Sequence, residues 1–408
     1  MSDRRSLHSP YPAGRISSVA KMAALLLSAM LAAGCTGERN SGVGPGGVVF
    51  HAPDAYPAKL SAWGLMEVSA DRLTLAEGVE AYDLNAPLFT DYAQKLRAVY
   101  LPPGTSAEYR EGEAFDFPVG TILSKTFFYP SGSTPGAVKT SYQWTDGQTS
   151  LSRQEVTVLE TRLLVRQADG WDALPYVWQG DDAVLKIAGS LMRLELEADG
   201  AEEGGATAAL PYIVPTRNEC AACHATDHSS GELQPIGPKA RHLNRGYLGG
   251  DGNQLSAMAA SGRLEGLPPL DQVPANADIE GHAPIAHKAR AYLDINCGHC
   301  HNPKGAADTS GLHLDLATTD TRALGFCKPP IAAGQGTGGR AYSIVPGDPD
   351  DSIIIFRMVT NDPGARMPEL GRSLAHSEGI ELVSEWIAGL AGECIEQGGA
   401  SLTDATGD

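Results

Sequence analysis

INCGHCHNPKG occupies residues 295–305, and NECAACHATDH occupies residues 218–228. In each stretch two cysteines stand three positions apart and a histidine follows the second directly: Cys220, Cys223 and His224, then Cys297, Cys300 and His301. Two thiols alone make a redox pair or half of a zinc site. A four-ligand zinc site places its two pairs roughly 15 to 20 residues apart, whereas 73 residues lie between Cys223 and Cys297. A thioredoxin-like dithiol needs a βαβ setting, which the flanking sequence lacks. Neither reading asks for the histidine. Covalent haem asks for all three residues. Each cysteine adds across one vinyl group, and the adjoining imidazole lies under the ring as the proximal iron ligand. Two covalently bound c-type haems are therefore expected, with His224 and His301 on the iron.

Length and charge set the frame. The chain has 408 residues and a formal net charge of −18. That is enough for two or three domains. The acidic balance excludes a nucleic-acid partner, which would require clustered Lys and Arg. It suits a redox protein partner that presents a positive patch.

Arg4, Arg5, Arg15 and Lys21 precede a short apolar run, MAALLLSAMLAAG (residues 22–34), which stops at Cys35. The run is too short to span a bilayer and reads as an export signal over residues 1–34. LAAGC (residues 31–35) resembles the bacterial lipobox. That resemblance implies cleavage before Cys35, lipidation of its thiol and a membrane tether facing the periplasm. Thr36 next to the cysteine implies the outer membrane. Removing residues 1–34 takes away four basic residues and one acid and leaves about −21. In an oxidising compartment cysteines are committed, and Cys327 with Cys394 form a possible disulfide, two free thiols being the alternative.

SGVGPGG (residues 41–47) closes a flexible tether over residues 35–47. From 48 to 199 the chain reads as β. LRAVYLP, TILSKTFFYP, EVTVLETRLLVRQ, ALPYVWQ and LMRLELE are short runs rich in branched and aromatic residues, with Gly, Pro and Asp between them. EADGAEEGGATAA (residues 197–209) is acidic and apolar-poor and reads as a linker. Beyond it NQLSAMAASGRL, PIAHKARAYLDI and SEGIELVSEWIAGL carry apolar residues at three- and four-residue spacing. The fold expected is α+β: an N-terminal antiparallel β-sandwich-like domain, then two mostly α-helical cytochrome c-like modules over residues 210–270 and 281–395, and a frayed tail over 396–408.

The second axial ligand sets redox behaviour. For the second haem Met367 is expected, in GARMPELGR (residues 364–372), 66 residues after His301. Its Met-Pro resembles the ligand loop of class I cytochromes c. Met358, among apolar neighbours, is the rival. For the first haem Met258 is the nearest methionine, an ordinary core role being as good a reading. His242, His282, His287 and a vacant position remain open. Arg357, Arg366 and Lys304 are candidates to meet haem propionates, surface pairing being the alternative. AAGQGTGG (residues 332–339) lacks the strand and the lysine of a nucleotide loop.

Taken together, NECAACH, PIGPKARHLN, ARAYLDINCGHCHNP, SGLHLDL, YSIVPGDPDDSI and RMPELGRSL resemble a little-characterised family of bacterial dihaem c-type cytochrome lipoproteins. YDLNAPLFTDYAQKLR, FPVGTILSKTFFYP and ETRLLVR resemble that family's β-domain, so the likeness spans most of residues 60–390. It implies single-electron transfer between an unidentified donor and acceptor. Two alternatives belong to other classes: a haem enzyme of the dihaem peroxidase or oxidase type with an open position at the first haem, and a module whose β-domain docks a protein partner. No paired carboxylates or Ser/His/Asp set points to other chemistry.

Overall fold

The computed structural model describes residues 47–197, 207–246, 252–331 and 333–394. The export signal, the lipidation site Cys35 and the 396–408 tail lie outside the described residues. Fourteen strands are described. In chain order they are β1 (Met66–Val68), β2 (Arg72–Leu75), β3 (Val79–Ala81), β4 (Gln94–Tyr100), β5 (Ala107–Glu108), β6 (Ile122–Pro130) and β7 (Ala137–Lys139). There follow β8 (Ser150–Ser152), β9 (Val156–Gln167), β10 (Gly170–Gln179), β11 (Asp182–Leu185), β12 (Ser190–Glu197), β13 (Thr207–Val214) and β14 (Leu264–Glu265). The helices are α1 (Arg217–His224), α2 (Ala240–Leu243), α3 (Gln254–Ala260), α4 (Ile285–Asn296), α5 (Ile353–Val359) and α6 (Ser377–Ala388).

The frame is a six-stranded antiparallel sheet in the order β11-β10-β9-β6-β4-β3. Its central strands are largely buried on both faces, because both faces are covered. One face puts Leu96, Ala98, Ile122, Leu163 and Val165 into a core with Leu73, Leu75 and Leu151 of the small β1-β2-β8 sheet. The opposite face divides. Val99, Leu101 and Leu123 pack with Leu243, Leu255 and Leu264 from the second half of the chain. Phe127, Tyr129 and Leu159 pack with Leu194, Leu210 and Tyr212 of the β13-β12-β7 sheet. Because side chains alternate along a strand, Lys95 and Arg97 share this second face with Val99. Lys125 shares it with Leu123, and Arg162 with Leu164.

The expectation of an α+β chain ending in two mostly helical cytochrome c-like modules is overturned. The structure is predominantly β, with four sheets, and the six helices are short. The helical periodicity is real where it was found: α3, α4 and α6 fall on the three quoted stretches. The intervening segments, rich in Gly, Pro, Asp and Thr, make turns and bends instead, since such residues satisfy their backbone locally. The described residues between 297 and 352 contain no α-helix. The second half also contributes strands to the sheets of the first. β13 pairs with β12 along eight residues, and β14 pairs with β5. A disulfide joins Cys327 to Cys394, 67 residues apart, and fastens the chain after α6 to the loop before α5.

Candidate functional site

The first motif lies on α1. Thr216 and Glu219 close a capping box at its start: the Thr216 hydroxyl accepts from the Glu219 amide at 3.2 Å, and the Glu219 carboxylate accepts from the Thr216 amide at 2.8 Å. An ion pair between Arg217 and Asp172 anchors the helix to β10. Cys220 and Cys223, three residues apart on a helix, project to one side. His224 is the last residue of the helix, and its Nδ1 lies 2.8 Å from the Gln234 carbonyl oxygen. That bond takes Nδ1 and leaves Nε2 as the available nitrogen, the arrangement found around ligating histidines.

The second motif follows α4. Asp294 anchors that helix near its C-terminal end. Its carboxylate accepts two bonds from Arg241, at 2.7 and 3.0 Å, one from Asn276 at 2.9 Å and one from the Leu316 amide at 2.9 Å. Asn296 accepts from the Phe89 amide at 2.8 Å. The chain then turns through Cys297 to His301, with the His301 amide donating to the Cys297 carbonyl at 2.8 Å. Gly298 has to be glycine: a Cβ there would sit 2.7 Å from the Asp294 carbonyl oxygen and 2.9 Å from the Asp315 Cα. His301 Nδ1 stands 3.5 Å from the Ser310 hydroxyl.

The two motifs meet. Cys300 Sγ lies 3.5 Å from the carbonyl oxygen of Ala222, the residue before Cys223. Both motifs line one cavity of about 600 Å³, within the range of small-molecule and cofactor sites. Burial holds both motif imidazoles neutral. His224 and His301 are each pushed down to about 4, first by desolvation, so a ring nitrogen is free of protons near neutral pH. Burial raises the thiols of Cys220 and Cys297, the latter to about 12. Cys223 and Cys300 influence each other, the first being lowered and the second raised.

Met367 lines the same cavity. Its amide donates to the Arg357 carbonyl at 2.8 Å, and Arg357 Nε donates to the Ala365 carbonyl at 2.9 Å. Arg372 ties the loop further through the Arg357, Thr360 and Leu374 carbonyls. The Asp91 carboxylate receives the Ser373 and Leu374 amides and holds this loop to the segment before β4. Asp91 and Tyr92 carry φ of 47° and 67°, a left-handed pair of non-glycine residues that costs energy and persists where the surroundings enforce it.

Met258 is not brought to this site. It packs half-buried beside Leu255 and Leu243, in a core to which neither motif contributes, and is absent from the cavity lining. His242 is buried in the Asp294 network, with Asn276 Nδ2 at 3.0 Å from its Nδ1; like His282 and His287 it does not line the cavity. Met358 lines it but is also core, packed with Val383 and Trp386. Of the three basic residues singled out from sequence, Arg357 lines the cavity and Arg366 and Lys304 do not.

Sequence reasoning missed the other wall. Lys95, Arg97, Lys125 and Arg162 of the large sheet all line the cavity. Arg97 pairs with Lys125 across β4 and β6, and Lys125 with Arg162 across β6 and β9. Three cations thus stand side by side. Glu160 accepts two bonds from Arg162, at 2.8 and 2.5 Å. Among the described residues no ion pair forms to Lys95, Arg97 or Lys125. Lys125 is pushed down to about 7 by burial, and then by Arg162 and Arg97. Lys95 is likewise lowered by burial and then by Arg97. The one local sign was a pair of cations at alternate positions inside an apolar strand, QKLRAVY. His376 was missed too. It lines the cavity, stacked on Phe89 at 4.1 Å, with Nδ1 at 3.0 Å from the Tyr292 hydroxyl.

Each motif offers two thiols and one imidazole with its far nitrogen already bonded, a donor set suited to iron held in a porphyrin. The apolar cavity and its uncompensated cations suit a large, flat, anionic group. Among the described residues no cluster of three or more His, Cys, Asp and Glu is arranged around a bare metal ion, and no helix is long and apolar enough to cross a membrane. No family model, curated protein or solved structure matches the chain.

Proposed function

We propose that this chain is an exported, lipid-anchored dihaem c-type cytochrome that passes single electrons between a protein donor and an acceptor. The observation that carries the reading is the convergence of the two CxxCH motifs, 73 residues apart in sequence, on one cavity, with Cys300 Sγ 3.5 Å from the carbonyl oxygen of Ala222 in the first motif. In this reading Cys220 and Cys223 hold one haem, with His224 as its proximal ligand. Cys297, Cys300, His301 and Met367 would hold the other. The bound haem would supply one-electron redox chemistry at iron. The polypeptide supplies the rest. Gln234 orients the His224 ring through Nδ1. Burial keeps both imidazoles unprotonated. The ties from Arg357, Arg372 and Asp91 hold the Met367 loop against the sheet.

The net charge of −18 favours a partner with a basic docking face. Cys35 supplies the membrane tether, and the family resemblance points the same way. Protein matured in a host that attaches haem c, analysed by pyridine haemochrome and peptide mass spectrometry, tests the proposal. It calls for two haems per chain, one on each pair of cysteines. Unmodified peptide at both pairs would overturn it.

A further inference from the structure

We infer that the row Arg97–Lys125–Arg162, with Lys95 beside it, is a carboxylate-binding subsite built by the N-terminal sheet for the propionates of the haem tethered at Cys220 and Cys223. The inference rests on the dihaem reading and assigns to the β-half of the chain a share in the site.

Register is the first ground. Arg97 faces Lys125, and Lys125 faces Arg162, on adjacent strands of one sheet. Like charges directly opposite one another destabilise a sheet, and a conflict of that kind between local and global preference marks a functional position. Position is the second. All four residues line the cavity that both motifs line. Charge count is the third. Of the four, only Arg162 has an ion-pair partner among the described residues: Glu160, which also accepts from the Tyr212 hydroxyl at 2.7 Å; Asp91 and Asp83 act on Lys95 and Arg97 through space without forming an ion pair. Buried charges are paired as a rule, so the row calls for a further anion. Aromatic faces take only part of the load: Lys125 Nζ lies 5.2 Å and Arg162 Cζ 4.4 Å from the centre of the Phe127 ring. A haem tethered on α1 would bring two carboxylates, on the porphyrin edge away from its thioethers, into the cavity that Lys95, Arg97 and Lys125 line.

The subsite then tunes the potential of that haem. A cation near iron favours the reduced, less positive state, and it also cancels the propionate charge that favours the oxidised one. Removing it lowers the potential by both routes.

Spectroelectrochemical titration of the dihaem protein is compared across Lys125→Gln, Arg97→Gln and Lys125→Arg. In the two Gln variants one of the two midpoints falls by about 59 mV, a tenfold change in a one-electron equilibrium. The other midpoint holds, and Lys125→Arg restores the first. Both Gln changes remove a repelling charge, so folding is preserved, and unchanged haem content per chain checks it. Calorimetric titration of the same holoprotein with succinate and with phosphate separates the two sources of carboxylate or similar anion. No saturable binding is expected. Two haems with both midpoints unmoved in the Gln variants would overturn the subsite while leaving the dihaem reading intact. So would succinate binding that Lys125→Gln abolishes, which would assign the row to a free anion. Chains that mature without haem would instead defeat the reading itself, and mass spectrometry shows that outcome separately.

Discussion

Cys300 of the second motif reaches the first: its Sγ lies 3.5 Å from the carbonyl oxygen of Ala222, the residue before Cys223. If haems are bonded at Cys223 and Cys300 as proposed, they would lie near each other and their irons should sense each other magnetically. The fully oxidised protein should show electron paramagnetic resonance lines broadened by spin–spin interaction. The Cys297→Ala/Cys300→Ala variant should keep one haem and give the narrow signal of an isolated centre. A wild-type spectrum equal to the sum of two single-motif variants would rule out that proximity.

Met367 and Met258 make a matched pair for testing the axial ligand. Met367 lines the cavity with His301, whereas Met258 packs half-buried against Leu255. Met367→Ala should abolish the weak near-infrared band of methionine bound to ferric iron and lower one midpoint potential. Met258→Ala should leave band and midpoints unchanged and cost about 2 kcal/mol in a urea melt. A band that survives Met367→Ala at full haem content would exclude Met367 as ligand.

How much of this was readable in the sequence depends on whether the cause is local. The CxxCH pattern is local, so Cys220 to His224 and Cys297 to His301 can be picked out as two motifs from the chain alone. Their meeting cannot, because nothing local relates positions 73 residues apart. The cation row is hidden for the same reason. Register decides that Arg97, Lys125 and Arg162 are neighbours, and register is a property of the assembled sheet. The helical modules failed differently. The three-four periodicity of α4 and α6 was extrapolated into the segments between them, where local side-chain bonds such as Asp315 to the Thr318 hydroxyl and Asp320 to the Arg322 amide hold turns instead. The strand β13 begins at Thr207, inside the segment 197–209 read as a linker, and pairs with β12 all the same, a case of tertiary context overriding composition.

Asp294 is fully buried and binds Arg241, Asn276 and the Leu316 amide, so it fastens α4, and with it the second motif, to α2. Asp294→Ala leaves the Arg241 guanidinium buried without its partner and should cost about 3–5 kcal/mol by urea denaturation. Adding Arg241→Met should recover much of that loss, since an apolar pair needs no counter-charge. If the double variant is no more stable than Asp294→Ala alone, the carboxylate is acting through something other than Arg241.

His242 gives the stability a predictable pH dependence. Its ring is almost wholly buried, Nδ1 lies 3.0 Å from the Asn276 Nδ2 that donates to it, and Nε2 lies 3.5 Å from Asp294. The neutral form with its proton on Nε2 satisfies both contacts. Burial, with Arg241 and Lys239 nearby, outweighs the attraction of Asp294 and pushes the group down to about 3 from 6.5. The sign follows from proton counts. Between about 6.5 and 3 the unfolded chain holds a proton on this ring and the folded chain does not, so stability is full above the unfolded value and is lost as pH falls. At pH 4.5 the loss from this one group is about 2–3 kcal/mol relative to pH 7. Asp294, held well below the usual carboxylate range by Arg241 despite its burial, adds to the loss only below about pH 4. Urea melts at pH 7 and 4.5 should therefore show a smaller difference for His242→Asn than for the wild type. An equal difference in the two proteins would mean that His242 is already protonated in the folded state.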